Sequence, residues 1–176
     1  MTTDGDVGSG LVEVISLPEL RLARWGSLLV QDWRGQPFLR DYQRLGEAYR
    51  EIIARYPEGI SSLGLVRLDR QLGSPEAGIR EEARKQFVEF DRHTVASAVV
   101  FDGGGFSART VRTFVRAVLL FAQPKAPHKV FAELEPAVDW MSGIDERMAA
   151  EQGLSAMIRS WWEQPSPELS IRSKAG

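Results

Sequence analysis

The sequence predicts a single α/β domain: a mixed sheet with an N-terminal antiparallel hairpin followed by parallel strands, and helices packed on the sheet. Three observations carry this. Two apolar stretches, Leu20–Trp25 and Leu28–Trp33, flank Gly26-Ser27 as the arms of a hairpin. Downstream, the hydrophobic period alternates between about 3.6 and about 2, which is the pattern of alternating helices and strands. Residues 95–101 are almost wholly apolar and run into Asp102-Gly103-Gly104-Gly105 and a helical stretch, which reads as a βαβ unit.

Each element follows in order. Residues 1–10 are polar, acidic and glycine-bearing, without the positive start and apolar run of a signal peptide, and read as a disordered lead-in. Leu11-Val12-Glu13-Val14-Ile15 alternates and adds a short edge strand before the hairpin. Phe38, Tyr42, Leu45, Tyr49, Ile52, Ile53 and Tyr56 then recur at spacings of three and four, with Arg40, Arg44, Glu47, Glu51 and Arg55 elsewhere around the helix, which Pro57 ends. A strand follows from Ile60 to about Leu68, with Leu63, Leu65 and Val66 toward the core. Ser74-Pro75 starts a further helix, Ser as N-cap and Pro at the first helical position. Its apolar stripe is Ile79, Ala83, Phe87 and Phe90. Residues 95–101 form the spine of the sheet, covered on both faces. The next helix buries Val111, Phe114, Val115, Val118, Leu119 and Ala122, and turns Arg109, Arg112 and Arg116 outward. Val130-Phe131-Ala132 supplies a last parallel strand by a right-handed crossover, and residues 135–140 a short helix. Met148, Leu154, Met157, Ile158 and Trp161 predict one or two more helices, interrupted by Gly153. The reading by segment is therefore a tail over 1–10, an α/β domain over 11–142, a helical extension over 143–163 and a disordered tail over 164–176.

Composition narrows the function classes. The chain of 176 residues contains no cysteine, which excludes disulfides, thiol nucleophiles, cysteine zinc sites and iron–sulfur clusters. Its 24 acidic and 22 basic residues nearly cancel, so no bulk field exists to hold nucleic acid. The longest apolar runs fall far short of the ~18 residues that span a bilayer, and a cytoplasmic protein is expected. Of the basic residues 18 are Arg and 4 are Lys.

The order of elements, the strand Ala98-Val99-Val100-Phe101 before a turn, the Trp33-Arg34-Gly35 end of the hairpin and the closing phrase Phe131-Ala132-Glu133-Leu134-Glu135-Pro136-Ala137-Val138-Asp139-Trp140 together resemble the SpoIIAA-like family over about residues 20–141. That family's fold is akin to the STAS and SEC14 (CRAL-TRIO) domains. The resemblance implies an α/β layer fold, no general catalytic apparatus, and roles in partner binding or in holding an apolar ligand. STAS relatives that antagonise anti-sigma factors are phosphorylated on a serine at a helix start. Ser74 is the positional counterpart here, although the Asp-Ser-Ser-Gly type of context is absent; the plain alternative is an N-cap serine.

The chemical candidates each have a structural alternative. Gly103-Gly104-Gly105-Phe106-Ser107-Ala108 fits G-x-G-x-x-A after a strand, with Glu133 ending the next strand where a ribose-binding acid would stand. Fewer than 50 residues follow for a second mononucleotide half, so the glycines read more simply as a tight turn. A smaller anion at this helix start, held by Gly103, Gly104, Gly105, Ser107 and Arg109, is physically easier. The same stretch approximates a G-x-S-x-G elbow, but Arg109 stands at the last glycine and no acid lies between Ser107 and His128, so Ser107 is read as an N-cap. His93 and His128 lack the spacing of a metal site, and no metal or cofactor is expected. Asp102, at the carboxyl end of its strand, orders the glycine turn. Trp161 and Trp162 are adjacent and hence ~100° apart on a helix. One of the two is expected to be partly exposed, as an anchor for a protein contact, or covered by something else, against the alternative that both pack on the domain's own strands.

These readings favour a non-catalytic, cytoplasmic protein-interaction or regulatory domain, self-association included. The alternative is a carrier or sensor of a small apolar ligand, held between the sheet and the helices of residues 38–56 and 107–122 among Phe38, Tyr42, Tyr49, Phe87, Phe90 and Phe114. An enzyme acting on a phosphorylated substrate at the turn of residues 103–109 is third.

Overall fold

The computed structural model describes residues 10–35, 38–67, 78–102 and 124–165. Its strands are β1 (Val12–Ser16), β2 (Leu20–Trp25), β3 (Leu28–Trp33), β4 (Ile60–Arg67), β5 (Thr94–Asp102) and β6 (His128–Phe131). The helices are α1 (Leu39–Arg55), α2 (Ile79–Asp91), α3 (Leu134–Ser142), α4 (Glu146–Ala149) and α5 (Leu154–Glu163). The sheet runs in chain order from β1 to β6, antiparallel up to β3 and parallel from β3 onward. The expected hairpin is β2–β3, turning at Gly26 with φ +54°, a conformation that glycine adopts without strain.

Strand alternation divides the sheet into two faces. Leu20, Leu22, Leu29 and Ile60 face α1, where Leu45, Ala48, Tyr49 and Ile52 join Phe90 of α2 in one core. Ala23, Leu28, Val30, Leu63, Leu65, Ala96, Ala98 and Val100 face α3–α5 in a second. The phrase that closes the predicted domain accounts for much of that second layer. Leu134, Ala137, Val138 and Met141 of α3 are buried, and Trp140 packs on Phe131 at 5.7 Å between ring centroids. Gly153, at φ +87°, separates α4 from α5, as its place in the sequence predicts.

One expectation shifts and another falls partly outside the described residues. The helix of residues 79–91 begins at Ile79 after Gly78, whose φ is +88°, and the expected start at Ser74-Pro75 lies outside the described residues. Among the described strands β5 lies second from the β6 end of the sheet, and β3 and β4 form the middle pair. An apolar run reports burial and not position in the sheet.

Candidate functional site

The carboxyl ends of β3 and β4 lie side by side with the start of antiparallel β2, because Arg21 pairs with Asp32 and Trp33 with Val66. Asp32 continues the set Leu28, Val30 toward the α5 face, and Arg21 and Arg67 continue Ala23 and Leu65 toward the same face. Three guanidiniums therefore meet one fully buried carboxylate. Arg34 Nε donates to Asp32 Oδ2 at 2.5 Å, while Arg21 Nη1 and Arg67 Nε stand 3.9 and 3.6 Å from the Asp32 oxygens. Trp162 Nε1 donates to Asp32 Oδ1 at 3.0 Å. A carboxylate taken wholly out of water is tolerable only with such charge and hydrogen-bond partners.

The same arginines close the end of α5. Arg21 Nη1 donates to the carbonyls of Trp161 and Gln164, each at 3.2 Å. Arg34 Nη2 donates to those of Trp162 at 3.2 Å and Gln164 at 2.7 Å, and Arg67 Nη2 also donates to Trp162 O. Helix carbonyls in the last turn have no acceptor role left within the helix, and α5 carries no basic residue of its own there. Guanidiniums from the sheet supply what the helix lacks.

Trp161 and Trp162 are 6% and 5% exposed, in line with the reading in which both pack on the domain's own strands. Their ~100° separation is met by two different partners. Trp162 points at Asp32 with Arg67 5.1 Å from its ring, and Trp161 lies under Arg21 at 4.3 Å with its Nε1 3.3 Å from Glu13 Oε2. Glu13 in turn accepts from Arg21 Nε at 2.9 Å. Beside them, Leu11, Glu13 and Arg21 on one wall and Met157, Trp161 and Pro165 on the other bound an open groove of about 420 Å³.

Two further polar knots are enclosed. Between α1 and the sheet, Gln31 Nε2 donates to Tyr49 Oη and to Ser62 Oγ, and the two hydroxyls lie 2.8 Å apart. Burial pushes the Tyr49 phenol up to about 12, against the opposing hydrogen bonds of Ser62 and Gln31, so it stays protonated and offers no base at neutral pH. At the other end of the sheet, Ser61 Oγ donates to Asp145 Oδ2 at 2.6 Å, and Arg147 holds both Asp145 oxygens at 2.8 and 2.9 Å. Burial pushes that carboxyl up, but the hydrogen bonds of Arg147 and Ser61 and the charge of Arg147 together outweigh it and hold it below its ordinary value.

Of the residues singled out in the sequence, Ser74, Gly103, Gly104, Gly105, Ser107 and Arg109 lie outside the described residues. His93 accepts from Arg92 Nε at 3.0 Å, and His128 meets the Phe87 ring edge-on at 5.2 Å. Among the described residues no group of three or more His, Asp or Glu side chains could hold a metal ion, and no helix is long and apolar enough to cross a membrane. The Asp32 cluster was not singled out. Its signal is an ionisable residue at a core-facing position of each of two strands, Arg21 and Asp32, which demands a buried partner.

No family model matches the chain, and no curated protein matches it. Among solved structures it is similar to an uncharacterized protein of the DUF3478 family from Shewanella loihica PV-4, which has a SpoIIAA-like fold. Identity is 14%, the TM-score is 0.50, and the match covers 74% of this chain and 93% of that one. It is also similar to the Pseudomonas malonate decarboxylase MdcD-MdcE hetero-dimer, at 11% identity and a TM-score of 0.43 over 81% of this chain and 82% of that chain. Six described strands in chain order, antiparallel and then parallel with helices packed on them, give this α/β chain a SpoIIAA-like fold.

Proposed function

We propose that this protein is a non-catalytic regulatory domain of the cytoplasm that works by binding another protein, a second copy of itself included. The observation that supports it is the free edge of β1. Among the described strands β1 pairs only with β2, and Val12 and Val14 on it are 45% and 39% exposed. An unpaired strand edge with apolar side chains is a template for pairing with a further chain. Asp32, Tyr49 and Asp145, the acidic groups at the centres of the three polar clusters, are each engaged by hydrogen bonds within the fold. A carrier of an apolar ligand would need space between the sheet and the helices of residues 38–56 and 107–122; under the first, Leu45, Ala48, Tyr49 and Ile52 pack on Leu20, Leu22 and Leu29, and the second, with Phe114, lies outside the described residues.

The test is Val14→Lys in sedimentation velocity and in pull-down from the source cells. A charge on the edge strand is expected to abolish association while leaving the thermal transition within about 0.5 kcal/mol of the parent, as for other exposed sites. Association that survives the substitution removes β1 from the proposal.

A further inference from the structure

We propose that the segment following α5 closes the β1 edge in cis: residues 169–172 add to β1 as an antiparallel strand and lay Leu169 and Ile171 over the groove between β1 and α5. The closure regulates the edge put forward above as the interaction site, and to that extent it rests on that reading. Position comes first. α5 lies alongside β1, with Trp161 Nε1 3.3 Å from Glu13 Oε2, and its end is held by Arg21, which pairs with Ser16 and donates to the Gln164 carbonyl at 3.2 Å. Ser16 is the last residue of β1, so the chain leaves α5 at the carboxyl end of that strand. A segment that turns back along the free edge from there runs antiparallel to β1, which needs no crossover.

The sequence supplies the occupant. Residues 166–176 lie outside the described residues, and their sequence opens on the turn-type stretch Pro165-Ser166-Pro167. Leu169-Ser170-Ile171-Arg172 then alternates apolar and polar, the period of a strand with one covered face. β1 is five residues long, ~17 Å at the rise of a strand, which the eleven residues 166–176 can turn and cover. The groove fits the apolar face of such a strand. Glu13 of β1 faces it, so alternate residues of a strand added beyond β1 face it as well. Its walls are apolar at Leu11, Met157, Trp161 and Pro165, and the acid and base on them, Glu13 and Arg21, pair with each other at 2.8 Å. Neutral apolar side chains suit that lining. An external strand then competes with the tail, and an edge closed about nine-tenths of the time lowers its apparent affinity about tenfold.

The test is amide hydrogen exchange along β1 in the full chain, at a concentration where sedimentation velocity shows a monomer. Leu169→Asp with Ile171→Asp should speed exchange of the outward-facing β1 amides at least about tenfold, because the strand that protects them leaves. Leu169→Val with Ile171→Val should keep them protected. Amides equally fast in the parent and the Asp variant would mean that the tail does not lie on β1, and amides equally slow would mean that something else covers the edge. Either result overturns the closure. Association at higher concentration is the second readout, and it should tighten about tenfold in the Asp variant. Faster exchange with no gain in association supports the closure and sinks the interaction reading instead, so the two fail separately.

Discussion

At Asp32 the balance between cost and gain sits on a single carboxylate. It is fully buried, and its two oxygens are held by Arg34 Nε and Trp162 Nε1. Desolvation of a charge is so costly that such a pair adds little net stability over an apolar substitute, yet removing one partner alone strands the other. Asp32→Asn should therefore destabilise by ~3 kcal/mol, and Trp162→Phe, which keeps the ring and deletes the donor, by ~1 kcal/mol. Urea unfolding of both and of the double variant completes the cycle. The double variant should fall short of the sum by ~0.5 to 1 kcal/mol, since the indole bond can be lost only once. Strict additivity would mean that the indole and the carboxylate do not act on each other.

At the scale of elements, α1 and α2 approach closely enough for the Gln86 side chain to lie against Gly46. Gln86 Nε2 donates to the Tyr42 carbonyl at 2.6 Å, and a Cβ built on Gly46 would stand 2.6 Å from that nitrogen. Two effects oppose each other in Gly46→Ala. Helix propensity favours alanine by ~1 kcal/mol, while displacing the buried amide from its acceptor costs ~1 to 3 kcal/mol. The substitution is expected to destabilise by ~1 kcal/mol, and Gly46→Ala with Gln86→Ala to recover part of the loss in thermal melts. Recovery is what separates a steric cause from a backbone one. Gln86 also shows what the sequence conceals. The stripe Ile79 and Phe90 is readable from its spacing, and so are the hairpin, β1, α1, α3 and the break at Gly153, because each follows from a local period or a turn residue. Gln86 enters the core through a contact 44 residues away. The Asp32 cluster draws on residues from Glu13 to Gln164 for the same reason: it has no spacing to recognise, only two core-facing charges whose partners the fold must supply. Adjacent tryptophans imply two directions, and nothing local says that Arg21 with Glu13 waits in one and Asp32 in the other.

For the whole molecule the sheet is a wall shared by two cores, and each central strand serves both. β3 gives Leu29 to the α1 side and Leu28 and Val30 to the α5 side, while β4 gives Ile60 to one and Leu63 and Leu65 to the other. Loosening either layer therefore loosens the strands that hold the opposite one. Ile158 of α5 and Ile52 of α1, 0% and 6% exposed, lie on opposite sides of that wall. Ile158→Ala and Ile52→Ala should each cost ~2 to 4 kcal/mol, by lost transfer energy and the cavity left behind. The unfolding curve should stay single, with tryptophan fluorescence and far-ultraviolet circular dichroism coincident. The competing picture is a C-terminal helix that docks as an appendage. In that case Ile158→Ala would separate the probes, because Trp161 and Trp162 would leave the sheet before the β-structure melts, and Ile52→Ala would not. Coincident transitions in both variants would tie α5 as a whole to the folded state. A split confined to Ile158→Ala would instead make the entire helix the moving part.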